Sequence, residues 1–288
     1  MFGEGVVSTP DNEFGGVFTP DGREFYFTRS VPRSYFYMIC VSRFERGRWS
    51  APEAAPFSDE HRNFDAVISP DGSRLFFISD RPVKGKPKTD YDIWCVERAP
   101  RGWGAPHNLG APVNTDSNEW FASVARDGTL YFSSSRPGGK STSGLYRARL
   151  VGGKYAAPEP LDDINKVGDG QTEPYVAPDE SFLLFSSYGR ADGYGGWDIY
   201  ISRRRGGGWT EPRNLGPKIN TSTRDYSPRL TPDGKYLFFT SERNFSTQPP
   251  ARRLNYEELL TRLHGVLNGN GNIYQIELGA VANETSTR

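Results

Sequence analysis

The sequence predicts an all-β chain, a five-bladed propeller of four-stranded antiparallel blades, and three observations carry that expectation. A Pro-Asp-Gly turn phrase recurs along the whole chain. Glycine and proline number 32 and 22 with 14% aromatics, the composition of short strands joined by tight turns. Helical periodicity is almost absent.

The recurring phrase reads "FTPDGREFYFTRS", "ISPDGSRLFFISDRP", "VARDGTLYFSSSRP", "VAPDESFLLFSSYGR" and "LTPDGKYLFFTSERN". Its aspartates, Asp21, Asp71, Asp127, Asp179 and Asp233, stand 50, 56, 52 and 54 residues apart, which marks a repeat architecture. An aspartate that recurs in every copy, usually before glycine, is the corner of a hairpin rather than a catalytic group. Each copy continues with a loop and a strand such as "YDIWCVER" or "WDIYISRR". A Gly-x-Trp-x-x-Pro phrase follows ("GRWSAP", "GWGAP", "GWTEP", and "GKYAAP" with tyrosine). That makes four strands per unit.

The fifth copy lacks the tryptophan phrase, and residues 1–8 align with the segments that close other blades. They are therefore expected to supply the outer strand of blade five and hide the open edge. The chain then reads as one propeller domain over residues 1–288, with blades near 9–58, 59–114, 115–166, 167–220 and 221–280 plus 1–8. The fifth blade also carries a long insertion over 245–272, where "NYEELLTRLHGVL" predicts the one helix, capped by Asn255.

Positive and negative side chains number 35 each, so no charge footprint points to nucleic acid. No segment has the length and apolarity of a membrane span, and residues 1–30 contain no run of signal-peptide length, so the chain as given reads as soluble without membrane insertion. Closing the ring removes the edges that force association, and a monomer is expected. Cys40 and Cys95 fall at one place in successive copies and are expected as separate buried thiols. Three scattered histidines and the lack of a nucleophile elbow, phosphate loop or dinucleotide fingerprint leave no complete catalytic set.

The phrase Ser/Thr-Pro-Asp-Gly-x-x-Leu-x-Phe-x-Ser-x-Arg resembles the WD-like propeller repeat of the TolB type. The likeness rests on "SPDGSRLFFISDR", "TPDGKYLFFTSER" and the degenerate "APDESFLLFSSYGR", and it spans nearly the whole chain. The resemblance implies a bacterial, periplasmic or extracellular protein; the residues themselves, with no signal-peptide run in the chain as given, leave a cytoplasmic location open beside it. TolB itself has six blades and a preceding α/β domain, neither of which is visible here, so TolB's partners are not implied.

Function is expected where the copies differ. Simple alternation along the five innermost strands sends three rings of side chains toward the channel. Together they would gather Glu13, Asp65, Glu119, Glu173 and Asp225, with Phe121, Tyr175 and Arg229, at the mouth formed by the entry loops. Such a site suits a carbohydrate, a cell-wall fragment or a protein ligand, and calcium is possible among the acids. The leading reading is thus a binding module with no cofactor. The alternatives are a carbohydrate-active hydrolase using Glu119, Glu173 or Asp65 as its carboxylate pair, and a non-catalytic scaffold.

Overall fold

The structure is a computed structural model that describes residues 1–31, 34, 36–137, 142–244 and 252–279. It contains five radial antiparallel sheets, each ordered from the axis outward in chain order. The innermost strands are Asn12–Phe18, Asn63–Ile68, Glu119–Val124, Gly170–Val176 and Asp225–Leu230. They touch one another in sequence, and the last touches the first, so the ring closes.

Every inner strand turns into the second at the recurrent aspartate, in a Pro-Asp-Gly corner in blades one, two and five, Arg-Asp-Gly in blade three and Pro-Asp-Glu in blade four. In blade two the Asp71 carboxylate accepts from the Ser69 hydroxyl at 2.6 Å and the Ser73 backbone N–H at 3.0 Å. Gly72 sits at φ +73°, the left-handed conformation that glycine adopts without cost. Asp21 and Asp233 make the same pair of bonds, so the recurrent aspartate is a corner throughout. In blade four Glu180 takes the glycine's place at φ +57° and accepts from the Tyr131 hydroxyl of blade three.

The fourth strands are broken in two. Gly102–Trp103 and His107–Asn108 both pair with Asp92–Ala99, and Pro106 lies between them; blades one and four repeat the break at Pro52 and Pro212. Proline has no N–H to give the ladder, so pairing lapses there and resumes. The aromatic before the break reaches the preceding blade. Trp103 donates its indole N–H to the Tyr26 hydroxyl at 2.8 Å, and Trp209 lies edge-on to Tyr131 at 6.2 Å.

Past the break, each blade clasps one peptide unit of its third strand. Leu109, Leu161 and Leu215 donate their backbone N–H to the carbonyls of Ile93, Leu145 and Ile199. The amides of Asn114, Asn165 and Asn220 then bracket both sides of those residues at 2.8–3.0 Å. The N-terminus does the same for blade five. Phe2 N–H donates to Ile273 O at 2.8 Å, and the Ser8 hydroxyl exchanges bonds with Ile273 O and N at 3.2 Å. Residues 1–8 thus close the ring as expected, but not as a strand. Gly3 and Gly5, at φ +56° and +80°, fold the segment into a compact turn and leave blade five with three strands. The Phe2 ring packs against Phe18, Phe25, Trp49 and Phe238, which joins blades one and five through side chains instead.

Cys40 and Cys95 are free, buried, and in separate hydrophobic clusters. Among the described residues no helix is long and apolar enough to cross a membrane. The helix of the insertion spans Tyr256–Leu263, with Asn255 and Glu258 forming the reciprocal N-terminal cap. None of its residues is buried, so it lies on the surface and fills no gap between blades. Residues 245–251 of that insertion lie outside the described residues, as do 280–288. A four-residue helix at Asp162–Asn165, not foreseen, places Asn165 for its clasp.

The closure predicts that Phe2→Ala lowers the stability of the whole ring by about 2 kcal/mol, on the low side for phenylalanine truncation because the ring is half-buried. Chemical denaturation checks this, and a midpoint equal to the wild type's would contradict the N-terminal closure.

Candidate functional site

The inner strands do not alternate simply. Each carries a β-bulge at the same place: Gly15 and Gly16 lie between the pairs Phe14↔Thr28 and Val17↔Tyr26, and the other four blades repeat this. Two residues opposite one reverse the phase of the strand beyond them. The first bulge residue is left-handed in every blade: Gly15, Asp65, Phe121, Glu173 and Ser227, at φ +65°, +52°, +52°, +55° and +51°. The three rings expected to face one way are therefore divided.

The ring before the bulge is engaged in holding loops. Glu119 accepts from Thr115 N–H and Oγ1, both at 2.8 Å, from Ser134 Oγ at 2.7 Å and from Arg136 at 3.3 Å. Glu13 accepts the same set from Thr9 and Arg29, and Asp225 from Thr221 and Arg243. All three acids are fully buried and lie in three different blades, each closed within its own loop. They do not converge on a mouth. The recurrent arginines also stack over third-strand aromatics, as Arg136 does on Tyr146 at 4.9 Å and Arg243 on Tyr274 at 4.5 Å.

The bulge ring lies against the axis and joins neighbouring blades. Glu173 accepts from Ser186 Oγ at 2.7 Å, Ser227 N–H at 2.9 Å and Ser227 Oγ at 2.9 Å, so both its oxygens are satisfied. Asp65 differs. Its backbone N–H reaches Thr28 Oγ1 at 2.9 Å, yet neither carboxyl oxygen has a hydrogen-bond partner, and the residue is 1% exposed. Its Oδ1 occupies the space beside Gly15, where a Cβ would stand 2.4 Å away; only glycine fits opposite it. Burial, then repulsion from Glu173, raises its carboxyl well above the ordinary range, opposed by attraction to Arg229. Phe121, the bulge residue of blade three, is half-buried.

The third ring, Val17, Val67, Ser123, Tyr175 and Arg229, lines a cavity of about 580 Å³. That cavity opens among the Pro-Asp-Gly corners, at the end of the channel opposite the entry loops, and its rim includes Pro20, Pro70, Pro178 and Pro232. Of the expected site residues, the structure thus brings Tyr175 and Arg229 into one cavity, with Asp65 and Glu173 buried close enough to exert their charge on Arg229. Arg126 and Asp179 on the rim, with Phe18 and Phe182 on the walls, were missed because they belong to the turn phrase and were read as architecture. Their signal was the contrast between Arg126 and the proline that four other copies place there. Among the described residues no three acidic, histidine or cysteine side chains are grouped to hold a metal ion.

No protein-family model matches the chain, and no curated protein is similar to it in sequence. Solved propellers are similar to it in fold. An α-L-arabinofuranosidase from Lactobacillus brevis superposes with a TM-score of 0.55 at 15% identity, covering 94% of this chain and 90% of that one. TolB from Acinetobacter baumannii gives 0.52 at 15% identity, over 84% of this chain and 50% of TolB. A Hadza microbial sialidase gives 0.50 at 17% identity, over 81% and 55%. The chain thus spans about half the length of the TolB and sialidase chains. At these identities the likeness establishes the β-propeller fold alone.

Two predictions follow from the buried acids. Glu119→Gln places an amide N–H₂ against donors, and should cost about 1–3 kcal/mol in denaturant unfolding; an unchanged midpoint would remove Glu119 from its loop. Burial, against its Thr9 bonds and Arg29, pushes Glu13 from 4.5 up to about 7, and Asp65 is raised too. A carboxyl raised by folding contributes stability present below its unfolded pKa and lost as pH rises through the folded one. Asp65→Asn should therefore raise the thermal midpoint relative to wild type at pH 8, with the gap vanishing toward pH 4. A gap that is constant with pH would mean that Asp65 is not raised.

Proposed function

We propose that this chain is a ligand-binding propeller whose ligand enters the cavity at the Pro-Asp-Gly end of the channel. Carbohydrates, cell-wall fragments and protein ends are the ligand types in view. The observation that carries the proposal is the contrast in hydrogen-bonding. Glu13, Glu119, Glu173 and Asp225 have their bonds completed within the fold, whereas Tyr175 and Arg229 present polar groups to a cavity with apolar walls. A concave, largely apolar site of a few hundred Å³ with a few polar groups at its base is the general form of a small-ligand site.

A hydrolase needs two carboxylates free to exchange protons across a scissile bond. Glu119 and Glu173 are each held by three or more donors, and Asp65 is enclosed, which supports binding over hydrolysis. Val17, half-buried on the cavity wall, offers a way to close the site without touching the loops. Ligands that raise the thermal midpoint of the native chain, drawn from a panel of oligosaccharides and muropeptides, should do so by mass action. The shift should disappear in Val17→Trp and persist in Glu119→Gln. Persistence in Val17→Trp with loss in Glu119→Gln would move the site to the entry-loop end.

A further inference from the structure

The base of that cavity has an excess of unused donors over acceptors. Arg229 is 4% exposed and donates from one Nη to Pro228 O at 2.8 Å and Pro174 O at 3.3 Å. The rest of its guanidinium has no acceptor among the described residues. The Tyr175 hydroxyl, beside it in the same ring, makes no hydrogen bond among them either. Ser123 Oγ accepts from Val176 N–H at 2.9 Å, and its own proton is left to donate. Three donors of different reach thus border the same floor.

Acceptors are few there. Among the described lining residues Asp179 is the single carboxylate, and it is engaged by Ser181 through the hydroxyl at 2.6 Å and the backbone N–H at 3.0 Å. Arg126 stands with it on the rim. The lining therefore carries two arginines against one acid. Behind the floor, Glu173 is hydrogen-bonded to Ser186 and Ser227, facing blades four and five rather than the cavity. Asp65, 1% exposed and with neither carboxyl oxygen partnered, also acts on Arg229; burial and Glu173 raise its carboxyl well above the ordinary range, which favours its neutral form and leaves the guanidinium charge to a ligand.

Resting on the cavity reading above, we propose that Arg229, Tyr175 and Ser123 form a subsite for a carboxylate, carried by an acidic sugar or by the C-terminal end of a peptide. A guanidinium edge at the buried base of the cavity, with Arg229 itself 4% exposed, matches the planar, two-oxygen acceptor of a carboxylate, and such charge-assisted bonds are the strong ones. A single negative charge suits the site. A phosphate dianion would bring a second charge close to Glu173, with no further cation at the floor to meet it. The walls of Val17, Phe18, Val67 and Phe182 would hold the less polar body of either ligand.

Titration calorimetry on the full chain tests this with matched pairs: D-glucuronate against D-glucose, and acetyl-trialanine against its C-terminal amide, with inorganic phosphate alongside. At least one acid should bind about tenfold or more tightly than its neutral partner, and the pair that responds identifies the source of the carboxylate. Arg229→Gln should abolish the discrimination while its circular dichroism stays native. Tyr175→Phe, which removes one hydroxyl only, should weaken the acid severalfold and leave the neutral partner unchanged, and it decides the matter if Arg229→Gln does not fold. Acid and neutral partners binding equally, or phosphate binding more tightly than either acid, would overturn the carboxylate subsite. Equal binding that Val17→Trp abolishes would leave the cavity reading standing. No binding by any of the five compounds would contradict both.

Discussion

The left-handed bulge residue in each inner strand is the constraint on which the channel depends. It lets two residues oppose one, bends the strand against the axis, and turns the side chains beyond it away from those before it. Because all five blades bulge at the same point, the bulge belongs to the architecture. The residue type it carries is free to vary, and it varies widely: glycine, aspartate, phenylalanine, glutamate and serine. Only glycine takes this conformation without strain, so four of the five blades hold a side chain in a backbone state it does not favour. Bonds between blades supply the compensation. The bulge N–H groups of Asp65 and Glu173 reach hydroxyls of the preceding blade, and that of Ser227 reaches Glu173 itself.

That constraint divides the channel into ends with different chemistry. At the entry-loop end, acids are satisfied by threonines and arginines of their own blades and act as loop anchors. At the corner end, the strands run out among prolines and leave a cavity with donors at its base. Asp65 lies between the two, enclosed and without a partner, where Gly15 makes room for it. A buried carboxyl with nothing to accept from is a cost to the fold, and its proximity in charge to Glu173 and Arg229 ties that cost to the floor of the cavity.

The repeat made most of this fold legible in the sequence. Turn aspartates, the tryptophan-proline phrase and the alignment of residues 2–14 with later closing segments point directly to blades, their number and the place where the ring closes. The outer strand at the N-terminus was less legible, because Gly3 and Gly5 convert an apparent strand into a turn that makes the same backbone bonds. The site was legible only in part. Alternation identifies Tyr175 and Arg229 correctly as neighbours in one ring. It misplaces Glu13, Glu119 and Asp225, because a bulge whose key position shares no residue type across the copies leaves no pattern to read. It also directs attention to the entry-loop end and away from the cavity at the corners, since corner residues that recur look structural even where one copy, with Arg126, departs from the rest.

Hydrogen–deuterium exchange of the native chain with and without D-glucuronate, and with and without acetyl-trialanine, each at saturating concentration, tests the central claim most directly, that ligand binds at the corner end. The account predicts slowed exchange around 123–128, 174–182 and 228–234, with the entry loops at 9–13, 115–119 and 221–225 unchanged. Protection confined to those entry loops, or no protection anywhere, would contradict it.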